Sequence, residues 1–313
     1  MKLENSIGEF LRYLEIEKGK SEKTIINYAH YLSRFLEWAP KNNIHKPGDI
    51  TLERIKNYRL YLNRLNDHNL KKKTQNYHMI ALRAFLKYLS KNDVKALAPE
   101  KIELIKEEAR EINFLDEEEL QKLLSIPDAK KFKGLRDRAI LETLFSTGMR
   151  VSELVKLDKG KINLKTGEFP IIGKGSKSRI VFLSEGATKA LEEYLKTRYD
   201  KNPALFIGKS QADNEKNARL TARSVQRSIK KYALIAGISK KVTPHVLRHT
   251  FGTDLLRSGA DLRAVQVLMG HSSITTTQIY THITDKHLRE VHKAFHGRRK
   301  KSTNTQIITN GTN

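Results

Sequence analysis

The stretch INLKTGEFPIIGKGSKSRIVFL, residues 162–183, decides the fold, because it interrupts a helical period that runs through the rest of the chain. Its apolar residues alternate or cluster as β-branched runs, and Thr166-Gly167, Gly173-Lys174-Gly175 and Ser176-Lys177-Ser178 punctuate them. β-Branched and aromatic residues suit a half-buried pleated surface, and glycine-containing pairs reverse the chain. The stretch predicts a small antiparallel sheet of three strands. On either side the apolar spacing returns to three and four. Helices are expected over 116–125, 134–147 and 150–157 before the sheet, and over 185–198, 221–236, 244–258, 261–269, 275–281 and 285–296 after it. The fold class is mainly α with a small antiparallel β-sheet.

Further towards the N-terminus only helices are expected. Ile7, Phe10, Leu11 and Leu14 mark the first, and Ile25, Tyr28, Leu32, Phe35 and Leu36 the second, with Ser21 as its N-cap. Thr51 opens a third through Ile55, Tyr58, Tyr61 and Leu62. A fourth runs from Lys71 through Tyr77, Ile80, Leu82 and Phe85 to Leu89. Four amphipathic helices with short turns make a small bundle, assigned to residues 1–90. The run Lys71-Lys72-Lys73 at a helix start opposes the helix dipole and suggests an outside anion, with a solvated face an equal alternative for any one lysine. Residues 91–113 hold a proline, no aromatic residue and mixed charge, and read as a linker. A second domain follows over 114–297, and the polar stretch 298–313, opening on RRKK, reads as a disordered tail.

Composition bounds the function. The chain has 313 residues, with 59 Lys and Arg against 35 Asp and Glu, a formal net charge of +24. Such an excess favours a polyanionic partner, since each cation that neutralises a phosphate releases counterions. With no cysteine, disulfide scaffolds, thiol catalysis and Cys-rich zinc sites are excluded. No apolar run approaches the roughly 18 residues of a membrane span, and the first 20 residues do not read as a signal peptide. A cytoplasmic protein without a membrane partner is the expectation.

Two tempting motifs fail. Residues 173–178, GKGSKS, lack the spacing of a phosphate-binding loop and lie between strands. His245 and His249 stand four apart, but the glutamate of a metalloprotease pair is missing and Arg248 between them would repel a divalent cation. No metal and no cofactor are expected. The same segment suits an anion better. Thr243 caps the helix, Pro244 takes its first position, and His245 and Arg248 fall on one face of its first turns. In residues 146–154, STGMRVSEL, Arg150 follows a glycine that ends one helix, and Glu153 three residues on is placed to orient it. Taken singly, either arginine reads more readily as a surface or ion-pair residue. His271 follows Gly270, and Tyr280 lies in a short Thr-rich helix nine residues later.

In order, TGMRVSEL with Arg150, IGKGSK with Lys174, TPHVLRHTFGTDLL with His245 and Arg248, and LMGHSSITTTQIYTH with His271 and Tyr280 resemble the active site of the tyrosine site-specific recombinases. The two-domain layout is most similar to the Xer type, and the likeness spans residues 3–296. The resemblance implies a four-helix, SAM-like DNA-binding domain and a catalytic domain that together clamp DNA. It implies that Tyr280 is the nucleophile, forming a 3′-phosphotyrosyl link, with Arg150 and Arg248 stabilising phosphoryl charge. His245 would be the base, Lys174 the acid for the leaving 5′-oxygen, and His271 a phosphoryl hydrogen-bond donor. Arg179 and Lys177 on the hairpin would contact phosphates or solvent.

Double-stranded DNA with a specific recombination site is the implied partner, held by a homo- or hetero-tetramer. A related recombinase and a DNA translocase are further candidate partners. The segment 285–296, with Leu288, Val291, Ala294 and Phe295 in a stripe, would dock on a neighbouring protomer. Resolution of chromosome or plasmid multimers is the leading expectation, since no room is seen for an arm-binding domain before residue 3. The alternatives are an integrase of a mobile element, a non-catalytic DNA-binding factor, and a topoisomerase of similar chemistry.

Overall fold

The computed structural model describes residues 1–65, 70–106, 113–173, 178–208 and 219–270. The chain divides into two compact units, Met1–Arg110 and Glu111–Asn313.

Four helices build the first unit: α1 (Leu3–Ile16), α2 (Glu22–Trp38), α3 (Leu52–Arg64) and α4 (Lys72–Lys91). Each buries one stripe. Leu3, Ile7, Phe10 and Leu14 of α1 meet Leu32, Phe35 and Trp38 of α2, Tyr58 and Leu62 of α3, and Met79, Leu82, Phe85, Leu86 and Leu89 of α4 in one core. Side chains of this size contribute about 1.5–3 kcal/mol each when fully buried. Thr51 caps α3 by accepting the Arg54 N–H, whereas the Ser21 hydroxyl at the start of α2 pairs with Thr24 Oγ1. No side chain caps α4, which starts directly after Lys71 with no acid in its first turn.

Two expectations change here. On α4, Tyr77 and Ile80 turn outward, each 39% exposed, and His78 is buried instead. The buried row runs through Asn76, Met79, Leu82 and Phe85, and 77 and 80 lie beside it. The second change concerns the linker expected over 91–113. As far as 106 it belongs to the first unit: Val94, Ala96 and Leu97 pack on the core and Ile102 is inside it. The Asn76 side chain then pins Ile105 twice, donating to its carbonyl at 2.8 Å and accepting its N–H at 2.9 Å. Apolar residues within a polar stretch, not the average composition, determined its place.

The second unit is arranged around α6 (Phe132–Thr147), which packs against α5 (Glu117–Ser125), α8 (Glu185–Lys196), α9 (Ala222–Ile235) and α10 (Pro244–Arg257). Leu141, Leu144, Ala139 and Ile140 of α6 are all buried, so its apolar surface extends around the helix. Its first turn is close-packed as well, because a Cβ on Gly134 would stand 1.9 Å from the Asp128 carbonyl oxygen. Two short helices, α7 (Val151–Leu154) and α11 (Leu262–Met269), complete the described part.

Strands β1 (Glu168–Ile172) and β2 (Ser178–Phe182) pair antiparallel, with Phe169 opposite Val181 and Ile171 opposite Arg179. Among the described residues the sheet has two strands rather than the three expected. Before β1 the Asn163 side chain accepts the Lys165 and Thr166 N–H groups, and Gly167 at φ +68° donates back to the Asn163 carbonyl. This side-chain-capped turn folds residues 162–167 tightly, leaving an isolated bridge from Asn163 to Glu168 instead of a strand. Helix α7 is also shorter than the expected 150–157: beyond Leu154 the chain tightens, with the Lys156 and Leu157 N–H groups donating to the Glu153 and Leu154 carbonyls three residues back, and Arg219 takes the Val155 and Leu157 carbonyls. The helices expected at 275–281 and 285–296 and the tail 298–313 lie outside the described residues. Among the described residues no helix is long and apolar enough to cross a membrane.

Two outcomes follow. Gly134→Ala forces the Asp128 carbonyl away and is expected to lower stability by about 1–3 kcal/mol, the usual cost of overpacking, read as a reduced urea midpoint. Burial pushes the His78 imidazole down to about 4, although the Tyr31 carbonyl opposes the shift. The unfolded chain, with a histidine pKa near ~6.5, then binds more protons, so stability must fall as pH drops through the window between the two values. His78→Gln is expected to flatten that slope; an unchanged slope between pH 7 and pH 4 would exclude His78 as its source.

Candidate active site

Three of the six predicted site residues lie within the described structure, and helix ends position all of them. Helix α6 ends on Gly148, whose φ of +56° lets its N–H close back on the Leu144 carbonyl. A side chain would be excluded there, since a Cβ at Gly148 would stand 2.2 Å from the Phe251 ring of α10. Two residues later Arg150 occupies the N-cap of α7. Thr243 opens α10 by accepting the Val246 N–H, and Pro244 takes the first helical position. His245 and Arg248 follow on its first turns.

Arg248 is buried, 5% exposed, and donates from Nη1 to the Gly148 carbonyl and from Nη2 to the Met269 carbonyl. Both acceptors end helices, where carbonyls lack helical partners and carry the negative end of the dipole. One guanidinium thus ties the ends of α6 and α11 to the start of α10. Arg150 is held by Glu153, as the sequence suggested. Its Nη1–H donates to Glu153 Oε1 at 3.0 Å and its backbone N–H to Oε2 at 2.8 Å. The Arg150 side chain keeps 32% of its surface exposed.

His245 is exposed. Desolvation, then the charges of Arg248 and Arg150, hold its pKa below the ordinary histidine value. The imidazole is therefore neutral near pH 7 and able to accept a proton. Arg248 reaches the Gly148 carbonyl two residues before Arg150, and both guanidinium charges act on His245. His249 is half-buried, and desolvation, with His245 and Arg248, lowers its pKa too. Among the described residues no cluster of three or more His, Asp or Glu could hold a metal ion. Lys174, His271 and Tyr280 lie outside the described residues.

One expectation is overturned. Arg179 does not face solvent or an outside phosphate: its side chain is 11% exposed and its fork grips Glu153. The signal was present in the strand period. Arg179 lies two residues before the buried Val181, hence on the same inward face.

Family comparison agrees with this architecture. The model of the phage integrase family matches residues 113–287, and that of the phage integrase N-terminal SAM-like domain matches residues 7–93. The tyrosine recombinase XerD of Vibrio cholerae serotype O1 is 36% identical over 298 residues, covering 93% of this chain and 96% of its own. The tyrosine recombinase XerC of Haemophilus influenzae is 37% identical over 300 residues, covering 95% and 98%. Among solved structures, the XerA recombinase superposes with a TM-score of 0.51 at 33% identity, covering 95% of this chain and 99% of that one. The XerH site-specific recombinase bound to its palindromic difH substrate gives 0.69 at 25% identity, covering 94% and 89%. With one family model matching more than half of its length and relatives a third identical along nearly all of it, the chain belongs to the phage integrase family, among its Xer-type tyrosine recombinases.

Proposed function

We propose that this enzyme cuts duplex DNA at a specific site through Tyr280, rejoins the strands to new partners, and so resolves chromosome or plasmid multimers in the cytoplasm. The observation that carries the reading is the convergence of two guanidiniums and an imidazole of lowered pKa at helix ends in the second unit. Phosphodiester transfer builds negative charge on the phosphoryl oxygens, and planar, permanently charged forks suit that charge better than ammonium groups.

The proposed step balances without a cofactor. Tyr280 Oη attacks phosphorus, a P–O bond to tyrosine forms and the P–O5′ bond breaks. His245 takes the phenol proton, its depressed pKa keeping it neutral for the task. Lys174 delivers a proton to the leaving 5′-oxygen, while Arg150, Arg248 and His271 hold the phosphoryl group. One phosphoester replaces another, so the bond energy is kept for religation and no nucleotide is needed. The uncapped, lysine-rich start of α4 offers a second anchorage for backbone phosphates.

Two cuts on each of two duplexes require four protomers. The segment 285–296 would join neighbours, and a related recombinase or a DNA translocase are candidate partners.

The test is covalent capture. Purified protein incubated with sheared DNA of its host, then denatured, is expected to carry DNA ends that map to one or two imperfectly palindromic sites. Tyr280→Phe should bind the same DNA and form no adduct; an adduct from that variant would refute the nucleophile. A break site on the chromosome near the replication terminus supports multimer resolution, and one at an element boundary indicates an integrase. Loss of either arginine, as Arg150→Ala or Arg248→Ala, is expected to remove about 2.7–4 kcal/mol of transition-state stabilisation, by analogy with loss of one charge-stabilising donor. Single-turnover adduct rates at saturating DNA measure that loss. Wild-type rates in either variant would exclude that arginine from catalysis.

A further inference from the structure

Arg179 has no part in the chemistry just described, yet its surroundings are those of a built component. Its Nη1–H and Nη2–H donate to Glu153 Oε1 at 3.3 Å and Oε2 at 3.0 Å. With the two bonds from Arg150, each carboxylate oxygen of Glu153 takes two donors. The remaining edge of the Arg179 fork is used as well, since Nε–H donates to the Leu268 carbonyl at 3.2 Å, near the end of α11. Gly270 presses on the same group: a Cβ there would stand 2.8 Å from Arg179 Nη1, and its φ of +63° already favours glycine.

One guanidinium therefore joins three segments. Along the sequence, β2 begins four residues after Lys174, Arg150 is the N-cap of α7, and α11 ends two residues before His271. Charge makes the link more than mechanical. Glu153 and Arg150 alone would be a neutral pair, and a guanidinium cancelled by a buried carboxylate stabilises an incoming anion poorly. With Arg179 sharing the carboxylate, the three groups carry a net charge of +1, and Arg150 gives the carboxylate only one of its fork N–H groups.

Building on the proposed strand cleavage, we propose that Arg179 is a positioning residue. By taking up the Glu153 carboxylate it keeps Arg150 oriented and uncancelled, and by holding Leu268 it sets the chain ahead of His271. Burial pushes the Glu153 carboxyl up, but Arg179 and the Arg150 amide outweigh it and hold the group below the usual glutamate range. Glu153 is thus an anion that needs a second cation. Lysine cannot replace the arginine, because one ammonium cannot give a forked pair and a third bond on the opposite edge.

The test compares Arg179→Met, Arg179→Lys and the double variant Arg179→Met with Glu153→Gln, all in the full chain. The probe is a nicked oligonucleotide duplex bearing the break site recovered by covalent capture. Arg179→Met is expected to slow adduct formation roughly 10–100-fold, by analogy with the loss of groups that orient metal ligands. DNA affinity should stay at the wild-type value, and Arg179→Lys should remain slow. The double variant should regain most of the rate, because glutamine leaves the Arg150 charge uncancelled. A merely structural Arg179 would make the double variant no faster than the single one, and that result overturns the proposal.

A second readout needs no DNA. His245 is held down by desolvation and then by the charges of Arg248 and Arg150, and His249 one turn on is the titratable group beside it. Freed from Arg179, the Glu153 anion should raise the His245 pKa, followed by NMR of the labelled imidazole, and the double variant should return it. If the wild type gives no adduct, strand cleavage is refuted while this titration still decides Arg179. An unchanged His245 pKa in Arg179→Met would overturn its role.

Discussion

Burying a carboxylate costs several kcal/mol unless its charge and lone pairs are met, and Glu153 meets that demand with two arginines and a backbone amide. The whole second unit contributes to the arrangement. Helix α6 ends on a glycine that alone tolerates the Phe251 ring, which sets where α7 begins and hence where Arg150 and Glu153 stand. The β-hairpin supplies Arg179 from its inward face, and α11 closes on the same guanidinium. Breaking one of these contacts leaves a buried charge without its partner, so the parts hold together as a set.

Arginines do the same work elsewhere in this unit. Arg248 joins the carbonyls of Gly148 and Met269, Arg219 takes those of Val155 and Leu157, and Arg136 those of Ile207 and Gly208. Chain segments that end without helical or strand partners leave acceptors, and a five-donor planar fork reaches two of them at once. Part of the net charge of +24 is therefore structural, spent on internal carbonyls rather than displayed to a polyanion. Composition marks the partner class but overstates the cations available to it.

The helices were legible because their apolar spacing is local: the expected starts at Thr51, Thr243 and Asp116 are occupied by capping side chains. The errors arose where a neighbour outranked the local pattern. Composition placed residues 91–106 in a linker, whereas Ile102 and the Asn76 clasp on Ile105 draw them onto the bundle. A third strand was expected before Gly167, whereas Asn163 bonds its own following amides and closes the turn. Arg179 was read from its charge, and strand periodicity, which pointed inward, was the better guide.

The sequence by itself determined the helical period, the position of the hairpin, and the order of Arg150, Lys174, His245, Arg248, His271 and Tyr280 along the chain. Spacing, capping and turn chemistry act between near neighbours, so they can be read from a string of residues. Only the tertiary structure decided that Arg248 joins two helix ends 100 and 21 residues away, and that Arg179 grips Glu153 and not solvent. It also decided that the His245 pKa lies below the ordinary histidine value. Those outcomes depend on which charges are desolvated side by side, and burial is a property of the packed chain.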